Sequence, residues 1–239
     1  MTEIDTIYSQ HSSRQFNEDL ESLRTELLTM GGLVERQVND AVKSLLELNS
    51  ALAQETQLLD QKTNQHERDI DSRCAQIIAL RQPTAVDLRL VLSINRAVVD
   101  LERIGDEASR VCRQTIELAN MNSAPLGLQE VRHIGQLVAT MLTDSLTAFA
   151  RRDMERAYSV VKRDVDVDRE YQTAMRTLIT FMMEDSRTIS GVLNIIWVLR
   201  SLERMGDHAC NLAEQLIYQV SGEDVRHLEP KEVKRVVRD

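Results

Sequence analysis

One helix of this chain is written twice. Residues 102–106 read ERIGD and residues 203–207 read ERMGD, 101 positions apart. The same shift puts Val91 on Val192, Leu92 on Leu193, Ile94 on Ile195, Leu101 on Leu202, Ala108 on Ala209, Gln114 on Gln215 and Ile116 on Ile217. Further upstream the register becomes 104, with Asp40 on Asp144, Ala53 on Ala157 and Asp60 on Asp164, so the halves differ by three residues. The simplest place for that difference is the turn near Arg81-Gln82-Pro83 and its counterpart near Ser186-Arg187. A duplicated sequence predicts a duplicated architecture and a duplicated site.

Composition says what the repeated unit is made of. With 8 Gly, 3 Pro and 3% aromatic residues in 239, against 42% hydrophobic, strands and tight turns have little to work with, and the chain reads as all-α. Breakers divide it into six helices: Phe16 to Asn49 with a bend at Gly31-Gly32, Ala51 to Leu80, Ala85 to Ala119 started by Thr84, Leu128 to Arg151, Met154 to Met183, and Arg187 to Val220. Asn120 to Pro125 reads as a linker. The expected organisation is two tandem antiparallel three-helix bundles over 1–120 and 128–221, a linker at 121–127, and a loose, charged C-terminal tail at 222–239.

Several classes are excluded early. No run approaches the roughly 20 uncharged apolar residues that span a bilayer. The opening MTEIDTIYSQ has neither the basic start nor the apolar core of a secretory signal, which points to the cytoplasm. A net charge of −9 argues against nucleic acid and anionic lipid as partners. Cys74, Cys112 and Cys210 cannot all pair within the chain and read as small buried thiols in a reducing compartment. No phosphate-binding loop, nucleophile elbow or Cys-His pair supports catalysis, so the chain reads as a non-enzyme.

The repeated motif carries the chemistry. On a wheel of about 100° per residue, Ile94, Val98, Leu101, Gly105, Cys112 and Ile116 share one apolar stripe, and Glu102 and Asp106 fall at its edge. A half-buried pair of like charges one helical turn apart is unfavourable without a counter-cation. Gly105 and Gly206 each cost about 1 kcal/mol relative to Ala in a helix interior, an expense explained by close approach of a neighbouring helix or a ligand shell. Glu203 and Asp207 repeat the pair; Asp164 and Asp168 of helix five, and Asp60 and Asn64 of helix two, supply a second set able to face it. Such oxygen-only donors suit Mg²⁺, Mn²⁺, Ca²⁺ or iron rather than zinc. Asn64 stands where helix five has Asp168, so the first site should hold its cation more weakly. The competing reading is a salt-bridged surface, with Arg103 and Arg204 as the partners.

The stretches QFNEDLESLRTELLTMGGLVE, LRQPTAVDLRLVLSINRAVVDLERIGD and MMEDSRTISGVLNIIWVLRSLERMGD together resemble the PhoU family of phosphate-signalling regulators along nearly the whole chain. The resemblance implies two tandem three-helix bundles with E(D)-x-x-x-D motifs that bind metal, here Asp60 with Asn64, Glu102 with Asp106, Asp164 with Asp168, and Glu203 with Asp207. It further implies a cytoplasmic protein, peripheral to the membrane, that represses the phosphate-starvation regulon by coupling the ATPase subunit of the phosphate ABC transporter to a sensor histidine kinase. The metal would be a divalent ion such as Mg, Mn or Fe. Long mixed-charge faces add the expectation of a homodimer.

Two other functions stay open on the residues alone: a metal-free helical scaffold, and a di-metal oxidase. Glu130-x-x-His133 has the spacing of a ferritin-like ligand pair, but its repeat counterpart is Glu26-x-x-Thr29, which makes it a surface feature. Arg89, Arg96, Arg103 and Arg110 recur every seven residues and read as a solvated face threaded with Asp100 and Glu107. Trp197, the sole tryptophan, reads as core, and His208 as a satisfied group beside Asp207.

Overall fold

The computed structural model describes residues 3–121 and 125–238, with side chains from residue 14 onward. Six long helices form two tandem antiparallel three-helix bundles: α1 (Glu3–Leu46), α2 (Ser50–Arg81) and α3 (Ala85–Ala119), then α4 (Leu128–Arg151), α5 (Met154–Glu184) and α6 (Ile189–Ser221). A 3-10 turn, Ser186–Thr188, leads into α6, and a short seventh helix, α7 (Pro230–Arg238), ends the chain. Of the expected linker, residues 122–124 lie outside the described residues.

The repeat is visible in the turns. Leu48 (φ 51°) and Arg152 (φ 54°) are the left-handed residues that close α1 and α4. Each is followed by an N-cap whose side chain accepts from the backbone three residues on, Asn49 from Leu52 N and Asp153 from Arg156 N, both at 3.0 Å. These pairs are related by the 104-residue register. The three-residue difference falls at the next connection: α2 is joined to α3 by Gln82, Pro83 and Thr84, whereas α5 stops one residue short of the equivalent of Arg81 and is joined to the 3-10 turn by Asp185 alone. Thr84 occupies the N-cap of α3 in extended geometry without bonding through its side chain.

Both bundles share one continuous apolar core, to which every helix contributes. α3 packs on α6 and α1 on α4, so the two halves meet through equivalent helices. Gly31 and Gly135, one register apart, mark the α1–α4 crossing. A Cβ at Gly31 would sit 2.5 Å from Leu146 Cδ2, and one at Gly135 would sit 3.0 Å from Val42 Cγ1. Val42 and Leu146 are themselves repeat equivalents, so each half inserts one branched side chain over the other's glycine, in the manner of a two-fold interface. The bend expected at Gly31-Gly32 is absent. α1 runs unbroken through both residues, and the first glycine is there for the neighbour's side chain, not for backbone freedom.

Three other expectations need correction. α1 starts at Glu3, well before Phe16, because the apolar period marks where the helix packs and not where it begins; among the residues whose side chains are described, the first buried one is Leu20. The tail is not loose. Val225, Val233 and Val237 are buried, with α7 lying chiefly against α5. The spacing Val233-x-x-Val236-Val237 is an amphipathic stripe that charge content hid. Asp100 and Glu107 of α3 turn toward α6 and away from solvent, while Arg96, Arg103 and Arg110 of the expected solvated face are exposed. The cysteines are free and buried as expected, and burial pushes the thiols of Cys74 and Cys112 up to about 12.

The crossing supplies a paired test, since nothing lies within 4 Å of a Cβ added at Gly32. Gly31→Val is expected to lower the unfolding free energy by about 1–3 kcal/mol through overpacking. Gly32→Val should stay within about 0.5 kcal/mol of the parent. Urea denaturation of both variants checks this, and equal effects would contradict the packing account.

Candidate metal centre

The acidic motifs are brought together by the glycines inside them. A Cβ at Gly105 would meet Thr63 Cγ2 and Gln37 Oε1 at 3.3 Å; one at Gly206 would meet Val167 Cγ1 at 3.4 Å and Asp164 Oδ1 at 3.9 Å. Thr63 and Val167 are repeat equivalents, each standing one residue before the second acidic or amide position of its helix. Space for a methyl at most therefore fixes α2 against α3 and α5 against α6 at the level of the oxygen donors. Thr63 Oγ1 donates to Gln37 Oε1 at 2.7 Å, tying α1 to the same point in the first bundle.

In the second bundle the donors converge. One carboxylate oxygen from each of Asp168, Glu203 and Asp207 lies within 4.8 Å of the other two, the sole group of three potential protein ligands among the described residues. Asp164 stands beside them. Burial, followed by the charges of Asp207, Asp168 and Glu203, pushes its carboxyl up to about 7. Asp207 is raised by desolvation and then by Asp168; Glu203 by desolvation and then by Asp207, against the nearby Arg200. Glu203 Oε1 takes the Arg200 guanidinium at 2.6 Å, while its Oε2 is shielded from solvent and accepts no hydrogen bond. Sequence reading missed Glu214, one stretch further along α6, whose carboxyl burial and Asp164 push up to about 7.

The first bundle repeats the residues but not the arrangement. Asp60, Glu102 and Asp106 do not form a comparable three-oxygen group among the described residues. Arg103 lies 3.4 Å from Glu102 Oε2 and 3.8 Å from Asp106 Oδ2, an ion pair across both members of its own motif. Its counterpart Arg204 instead reaches across to Glu107 of α3, at 2.6 Å. Asn64 donates its amide to Asp60 Oδ2 at 3.4 Å. Asp60 is raised by desolvation and by Asp106, with a smaller lowering from Arg113, the residue that occupies the position of Glu214 in the repeat. Glu102 is likewise raised by burial and then by Asp106.

Three positions therefore differ in the same direction. Asn64 against Asp168, Arg113 against Glu214, and Arg103 in place against Arg204 drawn away all leave the second set with more negative charge than the first, although Arg200 serves Glu203. Oxygen-only donors, like charges crowded at the edge of a core, and shielded oxygens without hydrogen-bond donors at Asp60 Oδ1, Asn64 Oδ1 and Glu203 Oε2 fit a hard divalent cation. Asp168, Glu203 and Asp207, with Asp164 adjacent, are the residues best placed to hold it. The first set fits less well because it has one carboxylate fewer, Asn64 in place of Asp168, and Arg103 lies across both members of its motif.

Other candidates resolve differently. Glu130 and His133 form no metal site: His133 is exposed and lies 3.8 Å from Glu170. His208 spans the halves, with Nδ1 2.9 Å from Asp100 Oδ1, which also accepts from Asn211 at 3.0 Å. Glu107 is only 2% exposed and is bonded to two arginines, Arg110 and Arg204. The seven-residue arginine series is no common ligand face, since Arg96 lies over the Tyr218 ring at 5.7 Å and Arg103 serves its own motif. Trp197 is 63% exposed and not core.

Fold and site together define a duplicated helical-bundle protein with an acidic motif in each unit. The PhoU domain model matches residues 27–115 and 131–216, and the chain belongs to the PhoU family. It is 56% identical over 229 residues to a phosphate-specific transport system accessory protein PhoU homolog of Pseudomonas aeruginosa, covering 96% of this chain and 95% of that one. It is 43% identical over 229 residues to the phosphate-specific transport system accessory protein PhoU of Escherichia coli K12, with the same coverage of 96% and 95%. A crystal structure of PhoU from Pseudomonas aeruginosa matches with a TM-score of 0.85 at 57% identity, over 87% of this chain and 100% of that one. The phosphate transport system regulatory protein PhoU from Streptococcus pneumoniae matches at 0.81 with 29% identity, over 88% and 99%.

The crowding of carboxylates has a sign. A carboxyl whose folded pKa is raised holds its proton more tightly in the folded state, so its contribution favours folding at low pH and is lost as pH rises through the folded value. Asp164→Asn is therefore expected to raise the melting temperature in EDTA at pH 8, with the advantage gone by about pH 4, the range between the two states' pKa values. A pH series of thermal melts checks it. An advantage independent of pH would show that Asp164 carries no such repulsion.

Proposed function

We propose that this protein is a cytoplasmic accessory regulator of phosphate uptake. It represses phosphate-starvation genes by coupling the ATPase subunit of the phosphate ABC transporter to a sensor histidine kinase. The observation that carries this reading is the near full-length likeness to accessory proteins of phosphate-specific transport. Docking on membrane-bound partners, rather than insertion, suits a chain in which no helix among the described residues is long and apolar enough to cross a membrane. The reading has no catalytic step, and the homodimer expected from the mixed-charge faces belongs to the same proposal.

The metal part of the proposal rests on the second bundle. Asp168 of α5 and Glu203 and Asp207 of α6 would hold a divalent ion such as Mg, Mn or Fe, with Asp164 beside them holding a proton when the site is not neutralised. A bound cation would supply neutralisation of the cluster and a bridge between α5 and α6. Asp60, Asn64, Glu102 and Asp106 form the weaker counterpart. Neutralisation at the edge of the core favours one mutual setting of the two helices, and a partner able to feel that setting would read metal occupancy as a change of shape.

Deleting the gene is expected to make phosphate-starvation genes constitutive, read by a reporter in phosphate-rich medium. Normal repression in the deletion strain would remove the regulatory reading. An Asp168→Asn, Glu203→Gln, Asp207→Asn triple variant, confirmed to fold by circular dichroism, is expected to fail to restore repression. Full restoration would separate the acidic cluster from regulation.

A further inference from the structure

The groove where α3 meets α6 encloses a cavity of about 470 Å³ to which no role has yet been given. Its walls bring together Arg110 and Arg113 from α3 with Arg200 and Arg204 from α6, and Trp197 stands beside them. On a chain of net charge −9, four guanidinium groups around one cavity are a local reversal of sign. Glu107, in the lining, answers two of them, and Glu203, outside the cavity, takes Arg200 at 2.6 Å. Glu107 is buried and takes both Arg110 and Arg204 at 2.6 Å, which fixes the direction of those two side chains. Gln114 also lines the cavity, and its Oε1 is shielded from solvent without a hydrogen-bond partner.

Packing of α3 on α6 does not require this composition. The 101-residue register places Asn211, Glu214, Arg96, Val99 and Arg103 where the cavity has Arg110, Arg113, Trp197, Arg200 and Arg204. The equivalent positions of the other half thus serve the same helix pair with two arginines, an acid and no tryptophan. Four guanidinium groups against Glu107 and Glu203 leave a local excess of positive charge that an anion would relieve. An indole left 63% exposed is an apolar surface awaiting a flat partner.

We infer that the cavity binds a nucleotide, with its phosphates on the arginines and its base against Trp197. Guanidinium forks meet phosphate oxygens in bidentate pairs, and an aromatic face stacks any base. A volume of about 470 Å³ falls within the range of small-ligand sites. Inorganic phosphate would satisfy the charge but leave both the ring and most of the cavity unused.

Trp197 is the chain's sole tryptophan, so its fluorescence reports on this cavity alone. Full-length protein in EDTA and low salt, excited on the red edge of the indole band, is titrated with ATP and, separately, with tripolyphosphate. ATP is expected to quench saturably and to bind at least about tenfold more tightly than tripolyphosphate. Arg110→Gln with Arg113→Gln should weaken ATP by at least about tenfold, while Arg68→Gln with Arg176→Gln, an equal change of charge on exposed positions elsewhere, should change it by about twofold or less. Should the first pair destabilise the fold, Trp197→Leu followed by calorimetry reads the same point, because that variant should bind ATP no better than tripolyphosphate. Absence of saturable quenching at millimolar ATP, equal affinity for the two probes, or an unchanged affinity in the Arg110/Arg113 variant would each overturn the assignment.

Discussion

Carboxylates of the second repeat are held closer together than their charges favour, and it is helix packing that holds them. Gly206 lets Val167 reach the backbone of α6, and Val167 is itself buried. Apolar burial along α5 and α6, worth about 1.5–3 kcal/mol for each large side chain, sets the distance between the helices. The acids on the rim must accept that distance. Asp164, deepest among them, responds by holding its proton to about pH 7. A cluster built in this way stores unfavourable charge that a proton or a cation can relieve, and the choice between the two depends on pH and on metal supply.

Duplication made the two sites alike, and a handful of substitutions made them different. Arg103 closes over its own motif in the first bundle. Arg204 would do the same in the second, but buried Glu107 draws it across the seam between the halves. Glu107 sits at the repeat position of His208, which in turn serves Asp100. The polar seam between α3 and α6 therefore takes a cation away from one acidic motif and leaves the other compensated. Arg113 against Glu214 and Asn64 against Asp168 extend that imbalance, so charge compensation within the fold is spent on one half of the molecule.

Much of this architecture was legible in the residues. Helix boundaries from α2 to α5 follow from Pro83 and the apolar period, and the stripe on α3 correctly placed Glu102 and Asp106 at a core edge. What failed did so for physical reasons. A single wheel assumes one buried face, whereas α3 is buried on two, which is why Asp100 and Glu107 were read as solvated. Composition hid the apolar stripe of α7 among lysines and arginines. Two adjacent glycines suggest a bend, but only a partner side chain can reveal that Gly31 makes room for Leu146. The imbalance between the sites was half visible: Asn64 was evident, whereas Glu214 becomes evident only when the repeats are compared two turns beyond the motif, and the path of Arg204 required coordinates.

The most direct measurement is an anomalous-difference map from a crystal grown in Mn²⁺ and collected near the manganese edge. The strongest peak is expected between Asp168, Glu203 and Asp207, with weaker density or none among Asp60, Asn64, Glu102 and Asp106. No peak at the second cluster, or a stronger one at the first, would contradict the claim that the greater negative charge of the second cluster makes it the cation site.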